Sequence, residues 1–437
     1  WRSITEGIPE DHLVWRIAQD HKRADLMFAA TEFGVFVTLD SGAHWQKLGG
    51  GMPTISIRDI QIQRRENDLV AASFGRGFFV LDDYSLLRSL ASEDKMPEAT
   101  LFETRPAHWY FERPVLGATR KGSQGDQLYV ADNPPFGAVI SYYLRDGYPT
   151  QTAARQEIES ERLEAGNTVA FPGWGVVEAE RRETAPALRI MIRDEDGSVI
   201  KRLDAPTAKG LHRVAWDLRH PYYGSVETPP NWQGLMPSGF MVKPDADYTA
   251  ELALIVEGEA RLLSGPVTIR VNRMTSPALQ GADIDEVMAF WDELAKTGGQ
   301  VSAAQYALGD IFEDIDTLHK VLESSGVAPG AFEQKLAALK AEAYELDRAL
   351  TGDKSKGEVG DYDVHRITSW LWHAQGGVAN STYGPTPAHR VSLTNAQEAL
   401  APVATAINRM MNDDLPRLRR ELMAEGAPWG RGQTVPR

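Results

Sequence analysis

The chain has no cysteine among its 437 residues, which excludes disulfide stapling and thiolate-ligated metal or redox sites. It also lacks any run of about 18 apolar residues, so nothing in it reads as a membrane span. Basic residues are in deficit: 46 Lys and Arg face 61 Asp and Glu, for a net charge of −15. That balance argues against a nucleic-acid or anionic-membrane surface. No nucleophile elbow, phosphate loop or His-Glu-x-x-His pattern occurs, and no motif calls for a cofactor. What remains is ordinary globular composition, 42% hydrophobic and 24% charged, in a length that fits roughly two to four domains. A thiol-free chain suits a cytosolic protein or a bacterial exported protein that avoids thiols. No signal peptide is visible.

The segment Thr38-Leu39-Asp40-Ser41-Gly42-Ala43-His44-Trp45 places a hydroxyl, a carboxylate, a glycine and an indole at fixed spacing behind the apolar strand Val35–Val37. Such a turn uses Asp to accept hydrogen bonds from its own amides and Gly to reach a positive φ. The Trp then packs between neighbouring sheets. The surroundings repeat. The run from Trp45 to Pro53 matches that from Trp1 to Pro9, and the run from Asp25 to Val37 matches that from Asp68 to Val80. Self-similarity at a period of roughly 40–45 residues belongs to four-stranded propeller blades. The pattern predicts strands at Val14–Gln19, Leu26–Ala30, Val35–Leu39 and His44–Leu48, then at Ile57–Ile62, Leu69–Ser73 and Phe78–Leu81. Asp82-Asp83-Tyr84 opens a second copy of the turn but lacks the Gly and Trp that complete it. Trp1 sits where such a motif ends, so the chain reads as the C-terminal part of a longer protein. The other propeller blades are then expected upstream.

Beyond residue 90 the alternation breaks down, and 91–125 reads as a linker. From Asp126 strands return. Ala138–Leu144, Ala187–Arg193, Ser198–Leu203, Leu211–Leu218, Tyr248–Ile255 and Val267–Val271 suggest a small Ig-like β-sandwich over 126–274. Asp194-Glu195-Asp196-Gly197 is read as a hairpin turn rather than a calcium loop, whose later ligands are missing. After Thr275 the period becomes helical. One stripe runs from Ile284 to Leu294 and is expected to stop at Gly298. Others span Leu308–Leu322 and Phe332–Leu350, the latter ended by Gly352. Thr386-Pro387 is an N-cap and first-turn pair opening a further helix, and Asp414–Glu425 reads as a short last one. An antiparallel helical bundle over 275–437 is expected.

The Thr38–Trp45 turn resembles the Asp-box of sialidase-like and sortilin-like β-propellers. The order of propeller end, Ig-like sandwich and helical tail resembles a bacterial family of BNR-repeat, sortilin-like, glycosyl-hydrolase-related proteins. The resemblance implies a mainly β fold with an α-helical C-terminal region: residues 1–90 as the last blades of a propeller, then the sandwich and the bundle. It implies a secreted or periplasmic protein that binds a peptide, protein or glycan without turning it over. Glycoside hydrolysis by residues in upstream blades is the alternative, and a scaffold docking through the bundle a third.

Within that frame Thr38, Asp40, Gly42 and Trp45 are structural. Glu32 and Arg76 occupy the turns between second and third strands, on the rim opposite the Asp-box. They are the candidate ligand contacts, or else a structural ion pair. A catalytic pair of carboxylates flanking a sugar would need a partner acid for Glu32. Asp361, Asp363, His365 and His373 are read as solvated helix residues rather than a metal cluster, because eight residues of helix separate the histidines too far for one ion. Trp370-Leu371-Trp372-His373 reads as helical core rather than a sugar-stacking surface.

Overall fold

The computed structural model describes residues 2–90, 96–112, 133–226, 239–274, 280–361, 365–379, 381 and 383–430. These fold into two compact units. One comprises Trp1–Trp109, Gln127–Leu218 and Pro244–Arg273; the other comprises Tyr110–Asp126, Arg219–Lys243 and Met274–Arg437. The chain is rich in β strands, includes a sheet curled into a half-barrel, and is helical in its C-terminal region.

In the first unit, β1 (Val14–Gln19), β2 (Met27–Thr31), β3 (Gly34–Thr38) and β4 (Gln46–Lys47) form an antiparallel sheet in sequence order. The strands β5 (Ile57–Gln63), β6 (Asp68–Ser73) and β7 (Phe78–Leu81) form a second sheet of three. Each strand lies within one or two residues of its expected position. β2 and β3 are buried on both faces. On one side Leu26, Phe28, Ala30 and Val35 pack with Ile57, Ile60, Leu69 and Ala71 of the second sheet. On the other, Ala29, Phe36 and Trp45 pack with Ile8 and Val14.

The second sheet stops at three strands because the chain turns away at Asp83, whose φ of 40° is left-handed. Tyr84–Arg88 then forms a 3-10 turn, and Tyr84 drops fully buried into the core between the sheets. The side chain of Asp20, wholly shielded from solvent, locks that turn. It accepts from Tyr84 Oη at 2.6 Å, Arg88 Nε at 2.9 Å and Arg88 Nη2 at 2.7 Å, and from the amides of Lys22 and Arg23.

The rest of this unit comprises β8 (Ala99–Leu101), β9 (Ala107–Trp109), β10 (Ala138–Leu144), α1 (Gln151–Glu164), α2 (Trp174–Arg182), β11 (Ala187–Arg193), β12 (Val199–Ala205), β13 (Gly210–Trp216), β14 (Ala246–Val256) and β15 (Glu259–Arg273). A three-stranded sheet has the order β13-β10-β8, and a five-stranded one the order β12-β11-β14-β15-β9. The Asp194–Gly197 turn joins β11 to β12, with Asp194 accepting from the amides of Asp196 and Ser198. Strands β8 and β9 fall within 91–125. The helices α1 and α2 were not expected from the sequence. Neither buries a residue, and they are joined by Arg155 bonded to Glu180 and Glu159.

The second unit contains α3 (Ile284–Glu323), α4 (Ala331–Thr351), α5 (Lys354–Glu358), α6 (Ile367–Gln375), α7 (Pro387–Arg409) and α8 (Leu415–Ala424). Its core includes Leu308, Ile311, Ile315, Leu336, Leu400 and Ile407. The expected helix end at Gly298 is corrected: α3 continues through it to Glu323, 40 residues in all. Gly299 is there for close approach, since a Cβ on it would lie 2.4 Å from the Tyr223 carbonyl oxygen. Buried packing along α3 outweighs the helix-propensity cost of the Gly298–Gly299 pair, about 1 kcal/mol for each glycine. Gly352 does terminate α4, and Thr386 caps α7 as expected. Among the described residues no helix is long and apolar enough to cross a membrane.

Candidate ligand-binding rim

Glu32 and Asp40 lie at opposite ends of β3, as the sequence reading required. At the Asp40 end the hydrogen bonds form a closed turn. Thr38 Oγ1 donates to Asp40 Oδ1 at 2.7 Å and accepts from the Gly42 amide at 3.0 Å. Asp40 Oδ1 also accepts from the His44 amide at 2.9 Å, and Oδ2 lies 2.6 Å from His44 Nδ1. Burial pushes the Asp40 carboxyl up, but the His44 amide, the Thr38 hydroxyl and the His44 ring together bring it down to about 2. Gly42 has a φ of 83°, and a Cβ there would press on Ile4. The buried Trp45 donates its indole N–H to the Ile4 carbonyl at 2.6 Å, sealing the N-terminal segment against the sheet. The Asp40 carboxylate and the Thr38 hydroxyl are thus spent on the turn itself.

The other end of β3 is different. The tight β2–β3 turn is fixed by Thr31 Oγ1 donating to the Gly34 carbonyl at 2.9 Å, with Gly34 at a φ of 127°. Glu32 projects from it towards β1, where its Oε2 accepts from the indole N–H of Trp15 at 2.8 Å. Its Oε1 lies 3.7 Å from Nη2 of Arg58 on β5. The Arg58 guanidinium stacks over the Trp15 ring at 3.8 Å and lies 5.0 Å from the Phe74 ring. Trp15 is 41% exposed and Phe74 70%. Nε of Arg58 is buried without a hydrogen-bond partner among the described residues. A cation stacked on an indole in this way gains about 0.5–2 kcal/mol.

Arg76 sits exposed at the tip of the β6–β7 turn, which is closed by Ser73 bonding the Gly77 carbonyl. Glu32 pairs with Arg58 and not with Arg76. Trp15, Arg58 and Phe74 are the rim residues that the sequence reading missed. The signal was present in the repeat: the offset that aligns Asp25 with Asp68 also aligns Trp15 with Arg58 and Arg16 with Asp59. Arg16 and Asp59 are themselves 3.5 Å apart.

Glu32 thus bonds the Trp15 indole through one oxygen and pairs with the Arg58 guanidinium through the other. Asp59, the nearest acid in the adjacent strand, faces Arg16. In the helical unit, His373 Nδ1 bonds Ser392 Oγ at 2.9 Å while the His365 ring tilts against Trp370 at 5.5 Å. The two histidines thus serve different neighbours, and Asp363 lies outside the described residues. Among the described residues no group of His, Asp and Glu side chains is arranged to hold a metal ion. Leu371 packs on the bundle core, but Trp372 is 70% exposed, which corrects the expectation that it is core.

No family model matches the chain, and no curated protein matches it. Among solved structures, it is similar at 7% identity to the extracellular domain of a one component system from B. thetaiotaomicron, with a TM-score of 0.15, covering 61% of this chain and 26% of that one. A second structure, the extracellular domain of a hybrid two component system from the same organism, gives 8% identity, a TM-score of 0.14 and 60% against 25% coverage. A BSP domain of a biofilm associated protein gives 7% identity, a TM-score of 0.16 and 60% against 25% coverage. The chain therefore spans about a quarter of the length of the proteins it matches.

Proposed function

We propose that this chain belongs to an exported, sortilin-like BNR-repeat protein that binds a peptide, protein or glycan and does not turn it over. In this reading residues 1–90 supply closing blades of an Asp-box propeller and 91–125 a connection. Residues 126–274 form an Ig-like sandwich and 275–437 a helical bundle, with the remaining blades elsewhere in the same protein. The rim carrying Glu32 and Arg76 is the ligand surface.

One observation carries the reading: Arg58 stacked on Trp15, steered by Glu32, beside the exposed Phe74. Solvent-facing aromatic and arginine side chains are what binding hot spots use. The test is a mixed glycan and peptide array probed with the whole chain and with Trp15→Ala, Arg58→Ala and Arg76→Ala. The expected result is a ligand signal lost in the first two variants and weakened in the third, with folding unchanged by circular dichroism. Signals undiminished in Trp15→Ala and Arg58→Ala would overturn the assignment of this rim.

A further inference from the structure

We propose a second binding site, separate from the rim: the free edge of β7 takes up an acidic, extended peptide as the fourth strand of its sheet. Among the described residues β7 pairs with β6 alone, whereas its repeat counterpart β3 pairs with both β2 and β4. In the first sheet the Leu48 amide donates to the Val35 carbonyl at 2.8 Å, so the backbones of Val35 and Val37 face β4. The internal repeat aligns these residues with Phe78 and Val80, whose backbone groups accordingly face an edge that no described strand covers.

The chain cannot fill this position with the segment that follows. Asp83, Tyr84 and Arg88 are held elsewhere, by Asp68, Asn67 and Asp20. Natural edge strands are normally blunted by proline, lysine or a bulge. Phe78-Phe79-Val80-Leu81 has none of these and pairs with β6 without a register break. Beside the edge lies a groove of about 540 Å³. Its walls include Val35, Leu48, Phe79, Leu81 and Leu211, which suit the alternate side chains of an added strand.

Charge selects the occupant. Arg213 is the one Lys, Arg, Asp or Glu among the described residues lining the groove, in a chain whose net charge is −15. It is anchored by donating to the carbonyls of Asp82 and Asp83 at 2.8 and 2.7 Å. Among the described residues no carboxylate lines the groove. The fitting partner is therefore a peptide with apolar residues at alternate positions and a carboxylate placed against Arg213.

The experiment uses the whole chain and a fluorescein-labelled octapeptide that alternates valine with threonine and ends in two glutamates. Binding is read by anisotropy, and amide hydrogen exchange is followed at Phe78 and Val80. The glutamate peptide is expected to bind saturably, about tenfold more tightly than a version ending in two lysines. A version with proline at its centre is expected not to bind. Arg213→Gln should remove the charge preference while leaving the fold intact, and exchange at Phe78 and Val80 should slow when peptide is added. Three results would overturn the proposal: equal binding of the glutamate and lysine peptides, binding without protection of those two amides, or amides already protected without peptide. The last would mean that another part of the protein or a second copy fills the groove. Because the peptide series runs on the unaltered protein, a misfolded variant would not leave the idea untested.

Discussion

Asp20→Asn is the most informative single perturbation of the first unit. The side chain is fully shielded and receives two hydrogen bonds from Arg88, one from Tyr84 and two from backbone amides. Asparagine preserves the shape and can still accept from Tyr84, but it leaves the half-buried Arg88 guanidinium without its counter-charge. Breaking a buried pair by removing one partner costs about 3–5 kcal/mol. Arg88 keeps a bond to Asn67 and some solvent access, so the lower end, roughly 3 kcal/mol, is expected. In a unit of this size that lowers Tm by roughly 6–12 °C.

The pH dependence supplies an independent check. Burial alone would raise the Asp20 carboxyl, but donation from Arg88, Tyr84 and the Arg23 and Lys22 amides outweighs it, holding the group far below the usual carboxylate range. A group depressed in the folded state stabilises fully above its unfolded value near 4 and loses that contribution as pH falls. The gap between wild type and Asp20→Asn, measured by calorimetry, should therefore be widest at neutral pH and narrow below about pH 4. A Tm within a degree of wild type at pH 7 would refute the view that this carboxylate ties the 3-10 turn to the sheets.

In the helical unit, His389 accepts the Thr386 amide on Nδ1 at 3.1 Å, which requires that nitrogen to be unprotonated. Burial, and then the neighbouring His373, lower its pKa. Its contribution is therefore present above about pH 6.5 and lost as pH falls below that value. His389→Gln keeps an acceptor at this capping position and should flatten the Tm of the bundle between pH 7 and pH 5, whereas an unchanged slope would exclude His389 as the cause. Backbone substitutions offer a contrasting pair. Gly137→Ala should prevent folding of its sheet, because φ is 100° and the new Cβ would lie 1.9 Å from the Trp216 carbonyl oxygen. Gly309→Ala in α3 meets nothing within 4 Å and should stabilise by up to about 1 kcal/mol in chemical denaturation.

How much of the fold could be read in advance depended on what each segment buries. β2, β3 and β10 have buried faces, so their apolar residues left a clear pattern. The helices α1 and α2 bury nothing, and their charge-rich surfaces left none. Gly298 misled for a related reason. Local propensity treats a glycine pair as a stop, whereas here Gly299 answers to the Tyr223 backbone, a residue far away in sequence. Gly352 takes a φ of 86° at the end of α4, and at that position the local signal agreed with the structure.

The rim follows the same logic one level up. Glu32 could be found because a turn position is a local property, but its partner could not be chosen locally. Arg76 shares the turn register, yet Arg58 lies on β5, beside β1, and reaches Glu32 across the sheet interface. The repeat carries the missing information, since it superposes Trp15 on Arg58, and packing successive copies of one sheet brings equivalent positions together. An aromatic residue in one copy and an arginine in the next is then a stacked pair waiting for its neighbour. Comparing residue types at equivalent repeat positions is thus a more direct route to such a surface than searching turns for acids.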